Sequence, residues 1–349
     1  MCVDVMRYWI DQDIAEQDPG YGATNEDFFA ANPLCNLIKE DIVKQGPMRF
    51  DRYWELSQYT PQYGAYQKIR HFRGFYESEG SNEKGTDYAL AQAQYIIEHS
   101  QDEKHIRIIE CGAGTGDFML RLFIALKHRS HLSIEFYILE KSASLILTQK
   151  HKLKDCTIRW VNHIFEIPCD EVKTFILCEM VLDSFPHRGF IKKDETLYEL
   201  YLDAKGALIE RPCDETFDYS TDHSTWKKDV VIFRSFLAEQ FALELSRYFK
   251  RGFMISVDHC IETFSTSQLH LVTPYKNSYQ SSYSKPIHWI QDASYFLMAC
   301  SIYKPFYQDV LKEFHVSFHR AKTFFYNIGD YHVYKDDPRF YVMQIMFQS

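Results

Sequence analysis

The sequence predicts an α/β fold: a doubly wound, mainly parallel sheet with an N-terminal helical cap and inserted elements. Three observations carry that prediction. Between His105 and Asp258, short apolar runs of strand length alternate with segments of helical period, the pattern of strand–helix–strand units. The first of these strands passes into a helix through a turn with glycine at three alternate positions, Gly112, Gly114 and Gly116. Ahead of that turn, residues 37–100 read as helices and loops alone.

Residues 1–36 are a polar N-terminal extension with one short helix, Val5 to Ile14, and the turn-rich stretch Asp18-Pro19-Gly20-Tyr21-Gly22. From Leu34, apolar residues recur at helical spacing (Leu34, Leu37, Ile38, Ile42, Val43) until Gly46-Pro47 stops them. A second helix is expected from Arg49 to Gln58. A third, Thr86 to His99, follows the charged loop Glu77 to Gly85, and the three make the cap.

Residues 101–349 form the main domain. Its expected strands are Ile106 to Cys111, Ile134 to Glu140, Thr157 to Val161 and Thr174 to Cys178, with helices Asp117 to Lys127 and Ala143 to Leu153 among them. After Pro186 the rhythm breaks, and insertions are expected near 187–250 and 261–290. The first holds an antiparallel hairpin, Thr196 to Asp203 with Ala207 to Arg211, and a long helix from Val230 to Lys250. Strand Phe253 to Asp258 follows. The polar stretch Ser265 to Lys285 reads as a loop or lid, and a helix near Ile290 to Ala299 and a strand, Arg339 to Phe347, close the domain.

Composition excludes several classes. Apolar residues make up 46% of the 349, enough for a packed core. Lys and Arg number 39 against 48 Asp and Glu, and a net charge of −9 argues against nucleic-acid backbone as the main partner. None of the 9 cysteines forms a C-x-x-C pair, so no zinc ribbon or dithiol redox motif is present, and scattered thiols fit a reducing compartment. The first residues are acidic rather than basic, unlike a secretory or mitochondrial leader, and no apolar run is long enough to span a membrane. The expectation is a cytoplasmic protein. His315 and His319 stand four apart without the H-E-x-x-H pattern, so metal binding is not expected.

The glycine turn reads Glu110-Cys111-Gly112-Ala113-Gly114-Thr115-Gly116. Glycines there let the backbone turn sharply and approach a ligand without side-chain collision. A dinucleotide site would place a third glycine at position 117, where Asp117 stands, which disfavours a nicotinamide oxidoreductase. Alternate glycines with an acid two residues ahead suit S-adenosylmethionine (SAM), which has no pyrophosphate to cradle; a purely structural turn is the competing reading. Glu140 ends the second strand 24 residues after Gly116, where a carboxylate can accept both ribose hydroxyls. Glu110, Gly112, Gly114, Gly116 and Glu140 are therefore the expected cofactor-binding residues. Glu179 and Asp183 follow the fourth strand, at the edge of the sheet that carries ligands in open α/β folds. If the chain turns helical there, they share a face beside the reactive methyl, orient a cationic acceptor and take its proton, which makes them the expected catalytic pair. A helix-start carboxylate plus a capping acid is the alternative.

Several blocks in this order resemble the MidA-like family. They are Gly46-Pro47-Met48-Arg49-Phe50 through Leu56, Tyr59-Thr60-Pro61-Gln62-Tyr63-Gly64-Ala65-Tyr66, Glu110 to Gly116, Glu140-Lys141-Ser142, and Cys178-Glu179 to Asp183-Ser184-Phe185-Pro186. Departures are Cys178 where that family favours Asn, Val257-Asp258-His259 in place of D-Y-G, and Phe72-Arg73-Gly74-Phe75 where G-D-F-x-T is expected. The family comprises class I SAM-dependent methyltransferases with a Rossmann-like sheet, including a mitochondrial protein-arginine methyltransferase needed for complex I assembly. The resemblance thus implies SAM as cofactor, a protein substrate and arginine as acceptor. Tyr63 and Tyr66 lie near the donor on this reading, or pack the cap against the main domain. Two other functions stand beside it: a non-catalytic assembly protein that keeps the fold, and a methyltransferase for small molecules enclosed by the 265–285 lid.

Overall fold

The computed structural model describes residues 33–61, 82–129, 131–204, 208–213, 226–261, 271–272, 297–298, 302–329 and 340–347. In chain order the elements are α1 (Pro33–Gln45), β1 (Met48–Arg49), α2 (Phe50–Tyr59), α3 (Asn82–Glu98), β2 (His105–Cys111), α4 (Asp117–Arg129), β3 (Ser133–Leu139), α5 (Ala143–Lys152), β4 (Ile158–Val161), β5 (Lys173–Glu179), β6 (Arg188–Lys193), β7 (Thr196–Leu202), β8 (Leu208–Pro212), β9 (Val231–Arg234), α6 (Phe236–Tyr248), β10 (Gly252–Ile261), β11 (Leu271–Val272), β12 (Leu297–Met298), β13 (Ile302–Tyr303), α7 (Lys304–Val310), β14 (His315–Arg320), α8 (Ala321–Gly329) and β15 (Phe340–Phe347).

Strands β2 and β5 are buried on both faces, as a position between two helical layers requires. They lie at the middle of the main sheet, ordered β14-β15-β10-β5-β2-β3-β4. From β10 to β4 every neighbour is parallel, while β15 runs antiparallel to both β10 and β14. The expected α/β, doubly wound, Rossmann-like sheet is what forms. One face buries Ile106, Ile108, Phe175, Leu177, Ile255 and Val257 against α3, α4 and α8. The other buries Ile109, Ile176, Met254 and Met343 against α6 and α7. Chain order reverses between β2 and β5, so the crevice beyond their carboxyl ends is the natural ligand seat.

A second, antiparallel sheet, β1-β7-β6-β9 with β8 beside β7, lies under α1 and α2. The expected hairpin is present as β7 and β8. The expected helix from Val230 to Lys250 is not continuous. Val231–Arg234 pairs with β6 as a fully buried strand, and Ser235 then caps α6, its Oγ accepting from the Ala238 N–H at 3.1 Å. Sheet pairing of the β-branched run outweighed its helical spacing. Strand β6 and the edge strand β14 have no counterpart in the sequence reading; β14 is polar and half-exposed, so it carries no apolar signature. Of the expected helix Ile290 to Ala299, Leu297 and Met298 are described and pair as a strand with Leu271 and Val272. Tyr63, Tyr66, the extension before Asn32 and the rest of the lid lie outside the described residues.

Gly252, at the start of β10, sets one close approach between strands. Its φ is +129°, and a Cβ there would sit 1.8 Å from the Thr174 carbonyl oxygen of β5. Gly252→Ala is expected to cost about 3 kcal/mol in urea unfolding, because the relief must come from the backbone of two central strands.

Candidate functional site

The site grows from four strand ends. At the end of β2, Gly112 donates its N–H to the Leu139 carbonyl at 2.9 Å, and Gly116 closes a turn on Ala113 at 2.7 Å before α4 begins. Gly112, Gly114 and Gly116 have φ of +64°, +52° and +82°, a left-handed run that side chains resist. A Cβ on Gly112 would press on Val181 Cγ2 at 3.3 Å, and one on Gly116 on Leu153 Cδ1 at 3.1 Å. Glu110, just before this turn, is buried, and its Oε2 has no hydrogen-bond partner. Burial pushes its carboxyl well above the usual range, and the charges of Glu179, Glu140 and Asp117 add to the shift.

Glu140 follows β3 and is also buried. Its Oε1 accepts from the Ser142 N–H at 2.8 Å and its Oε2 from Gln149 Nε2 at 3.1 Å. Burial raises its pKa, and these bonds oppose the rise. Gln149, one buried position on α5, also donates to the Gly114 carbonyl at 2.9 Å, while its Oε1 accepts from Trp160 Nε1 at 3.1 Å. One amide thus ties the glycine turn to the acid after β3. The sequence reading missed it, since Gln149 belongs to no motif.

Glu179 ends β5 half-buried. Strand alternation puts it on the same face as Phe175 and Leu177, beside Glu110 and the buried phenol of Tyr88 from α3. Burial pushes that phenol well up, with the charges of Glu179 and Glu110 adding to it. The next residue, Met180, takes φ +51°, a strained conformation for a side chain of its size, and its N–H donates to the Val257 carbonyl at 2.9 Å. The chain then makes a single 3-10 turn, Leu182–Ser184, rather than an α-helix. Glu179 and Asp183 therefore do not share a helical face. Asp183 is buried toward the opposite face, next to the buried carboxyl of Asp258 of β10, and burial pushes its own carboxyl up to about 7. Asp258 was not among the expected site residues, although it ends an expected strand at the same edge and falls in the block compared with D-Y-G, and that position was the available signal.

Helix α2 covers this loop. Trp54 Nε1 and Tyr59 OH both donate to the Ser184 carbonyl, at 2.9 and 3.2 Å. Burial pushes the Tyr59 phenol up to about 12, with Glu140 and Asp183 contributing, and Lys141 Nζ stands 4.8 Å over its ring. His187 packs edge-on against Trp54 and donates Nδ1–H to the Phe185 carbonyl at 2.5 Å. Burial lowers its pKa to about 4. The native ring stays neutral where the unfolded one is charged, so stability present above pH 6.5 is lost as pH falls toward 4. Relative to His187→Gln, the wild-type chain is expected to lose roughly 3 kcal/mol of unfolding free energy across that window.

Over residues 90–294 the chain matches the model of the family described as "Putative S-adenosyl-L-methionine-dependent methyltransferase". That span is more than half of the chain, which belongs to this family: it is a SAM-dependent methyltransferase, and its cofactor is SAM. A COG1565 superfamily member from Burkholderia thailandensis, solved bound to S-adenosyl-homocysteine, is 16% identical with a TM-score of 0.73, covering 92% of this chain and 93% of that one. A COG1565 superfamily protein of the same organism in its native form is also 16% identical, with a TM-score of 0.71 and the same coverage. At this identity the likeness is one of fold. Comparison with curated proteins gives no match. The site fits the cofactor: a buried carboxyl with one oxygen, Glu110 Oε2, left without a partner stands beside a turn whose three glycines leave no side chain in the way. Among the described residues, no helix is long and apolar enough to cross a membrane.

Proposed function

We propose that this chain methylates the guanidinium of an arginine in a protein substrate, as one member of the MidA-like family it resembles does. The observation that supports the reading is the gathering of Glu110, Glu140 and Glu179 at the carboxyl ends of neighbouring strands. Like charges confined in a poorly solvated crevice favour a cationic ligand, and a guanidinium keeps its charge at any working pH.

In this reading the backbone of Gly112, Gly114 and Gly116 seats the amino-acid end of SAM, Glu110 takes its ammonium, and Glu140 takes the ribose hydroxyls. Bound SAM supplies an electrophilic methyl on a cationic sulfur. Glu179, half-exposed at the mouth, aligns the guanidinium and accepts the proton that leaves nitrogen as the new N–C bond forms. Asp183 holds the loop on which Glu179 opens. Residues 1–36 are an extension to the 37–100 segment, whose α1 and α2 lie on the second sheet while α3 packs on the main sheet of the 101–349 domain.

The test is incubation of the full chain with methyl-labelled SAM and a protein extract, followed by mass spectrometry of the acid hydrolysate. Methylarginine in the protein fraction supports the proposal. Label confined to small molecules would make the acceptor a metabolite, and stoichiometric SAM binding without transfer would make the chain a binding protein.

A further inference from the structure

We propose that Gln149 is a positioning residue for cofactor binding: its amide ties Glu140 to the glycine turn and holds that carboxylate ready to accept the ribose hydroxyls. The proposal rests on the reading of Glu140 as the acid that takes those hydroxyls.

Helix α5 touches Glu140 at both its start and its middle. Its capping residue Ser142 donates an N–H to Oε1 at 2.8 Å, and Gln149, further along, donates Nε2–H to Oε2 at 3.1 Å. The same helix also holds the glycine turn. Gln149 Nε2 donates to the Gly114 carbonyl at 2.9 Å, and Lys152 Nζ, three residues on along the same face, donates to Thr115 Oγ1 at 3.2 Å. Gly116 makes room for this approach, since a Cβ there would meet Gln149 Cγ at 3.4 Å. Gln149 is fully buried, so a bond lost here is not replaced from solvent.

The amide fits in one orientation. Trp160 Nε1 on β4 donates to Gln149 Oε1 at 3.1 Å. A flipped amide would set its oxygen against two acceptors, the Gly114 carbonyl and Glu140 Oε2, and its nitrogen against the Trp160 N–H. Partners on the glycine turn, after β3 and on β4 therefore fix where both N–H groups point. Each oxygen of Glu140 is in turn held by a protein donor. A carboxylate has room for about four donors, so both oxygens keep capacity for more, and a pair of adjacent hydroxyls matches that remainder. The bond from Gln149 also favours the ionised form of Glu140 against desolvation, and an ionised carboxylate only accepts. Without the amide, the acid and the turn lose the one side chain that bonds to both.

The experiment titrates S-adenosyl-homocysteine into the full-length wild type, Gln149→Met and Gln149→Asn, then displaces it with adenosine and with 2′,3′-dideoxyadenosine. Methionine keeps the length and volume and loses the donors; asparagine keeps the amide and withdraws it by one methylene. Either variant judges the proposal by itself, and urea unfolding shows which chains are folded. Each is expected to bind S-adenosyl-homocysteine about tenfold to a hundredfold more weakly, as for a lost hydrogen bond to a charged group. The wild type is expected to prefer adenosine to the dideoxy compound by at least about tenfold, and both variants to lose that preference. A preference kept at wild-type strength in a folded variant would overturn the positioning role even where overall affinity falls, because a residue that only packs the turn weakens both nucleosides alike. Wild-type affinity for S-adenosyl-homocysteine in folded Gln149→Met would overturn it as well. If the wild type itself does not discriminate between the nucleosides, the reading of Glu140 fails and takes the proposal with it.

Discussion

Gly112→Val is expected to weaken SAM binding at least about a hundredfold, or about 2.7 kcal/mol, by isothermal titration. Valine is branched at Cβ and strongly resists the left-handed region, where Gly112 sits at φ +64°. Its Cβ would also approach Val181 Cγ2 at 3.3 Å, with two methyls still to place. The turn must then shift, taking with it the N–H that bonds to Leu139 and the loop that follows Glu179. The main sheet survives, since Gly112 lies beyond the last paired residue of β2. A far-ultraviolet spectrum and an unchanged unfolding slope check that. Wild-type affinity in a folded Gly112→Val chain would move the cofactor away from the glycine turn.

Glu179→Gln is expected to lower kcat by about 10²–10³ while SAM affinity changes by less than about threefold. The amide keeps the volume and loses both the charge that aligns a cationic acceptor and the basic oxygen that takes its proton. The substitution also removes the largest charge effect on Glu110, so the binding of SAM should become less sensitive to pH. Single-turnover assays with methyl-labelled SAM separate the two effects. A kcat within threefold of wild type would make Glu179 a spectator and leave the acceptor to be bound elsewhere.

The two variants probe residues found by different kinds of reasoning. Gly112, Gly114, Gly116, Glu110 and Glu140 were legible because their signal is local: a strand, a turn that only glycine tolerates, and acids at strand ends, all within about thirty residues of chain. The central strands were legible for a similar reason. Burial on both faces favours runs rich in apolar residues; Thr174–Cys178 carries one, and Ile106–Cys111 keeps one around Arg107 and Glu110. The helix expected from Val230 failed because a buried β-branched run satisfies either period, and pairing with β6 decided it.

By itself the sequence determined the parallel sheet, the glycine turn and the acid that follows the second strand, because each is dictated by covalent chemistry and short-range periodicity. Tertiary structure alone decided what surrounds them. Gln149 bridges Gly114 to Glu140, Tyr88 reaches the acids from α3, and Trp54 and Tyr59 clasp Ser184 from more than 120 residues away. It also turned Asp183 from a presumed neighbour of Glu179 on a helix into a buried carboxyl beside Asp258. The physical reason is that an unpaired polar group inside a protein must find its partner wherever the packed elements bring one, and that distance in space leaves no spacing in the chain.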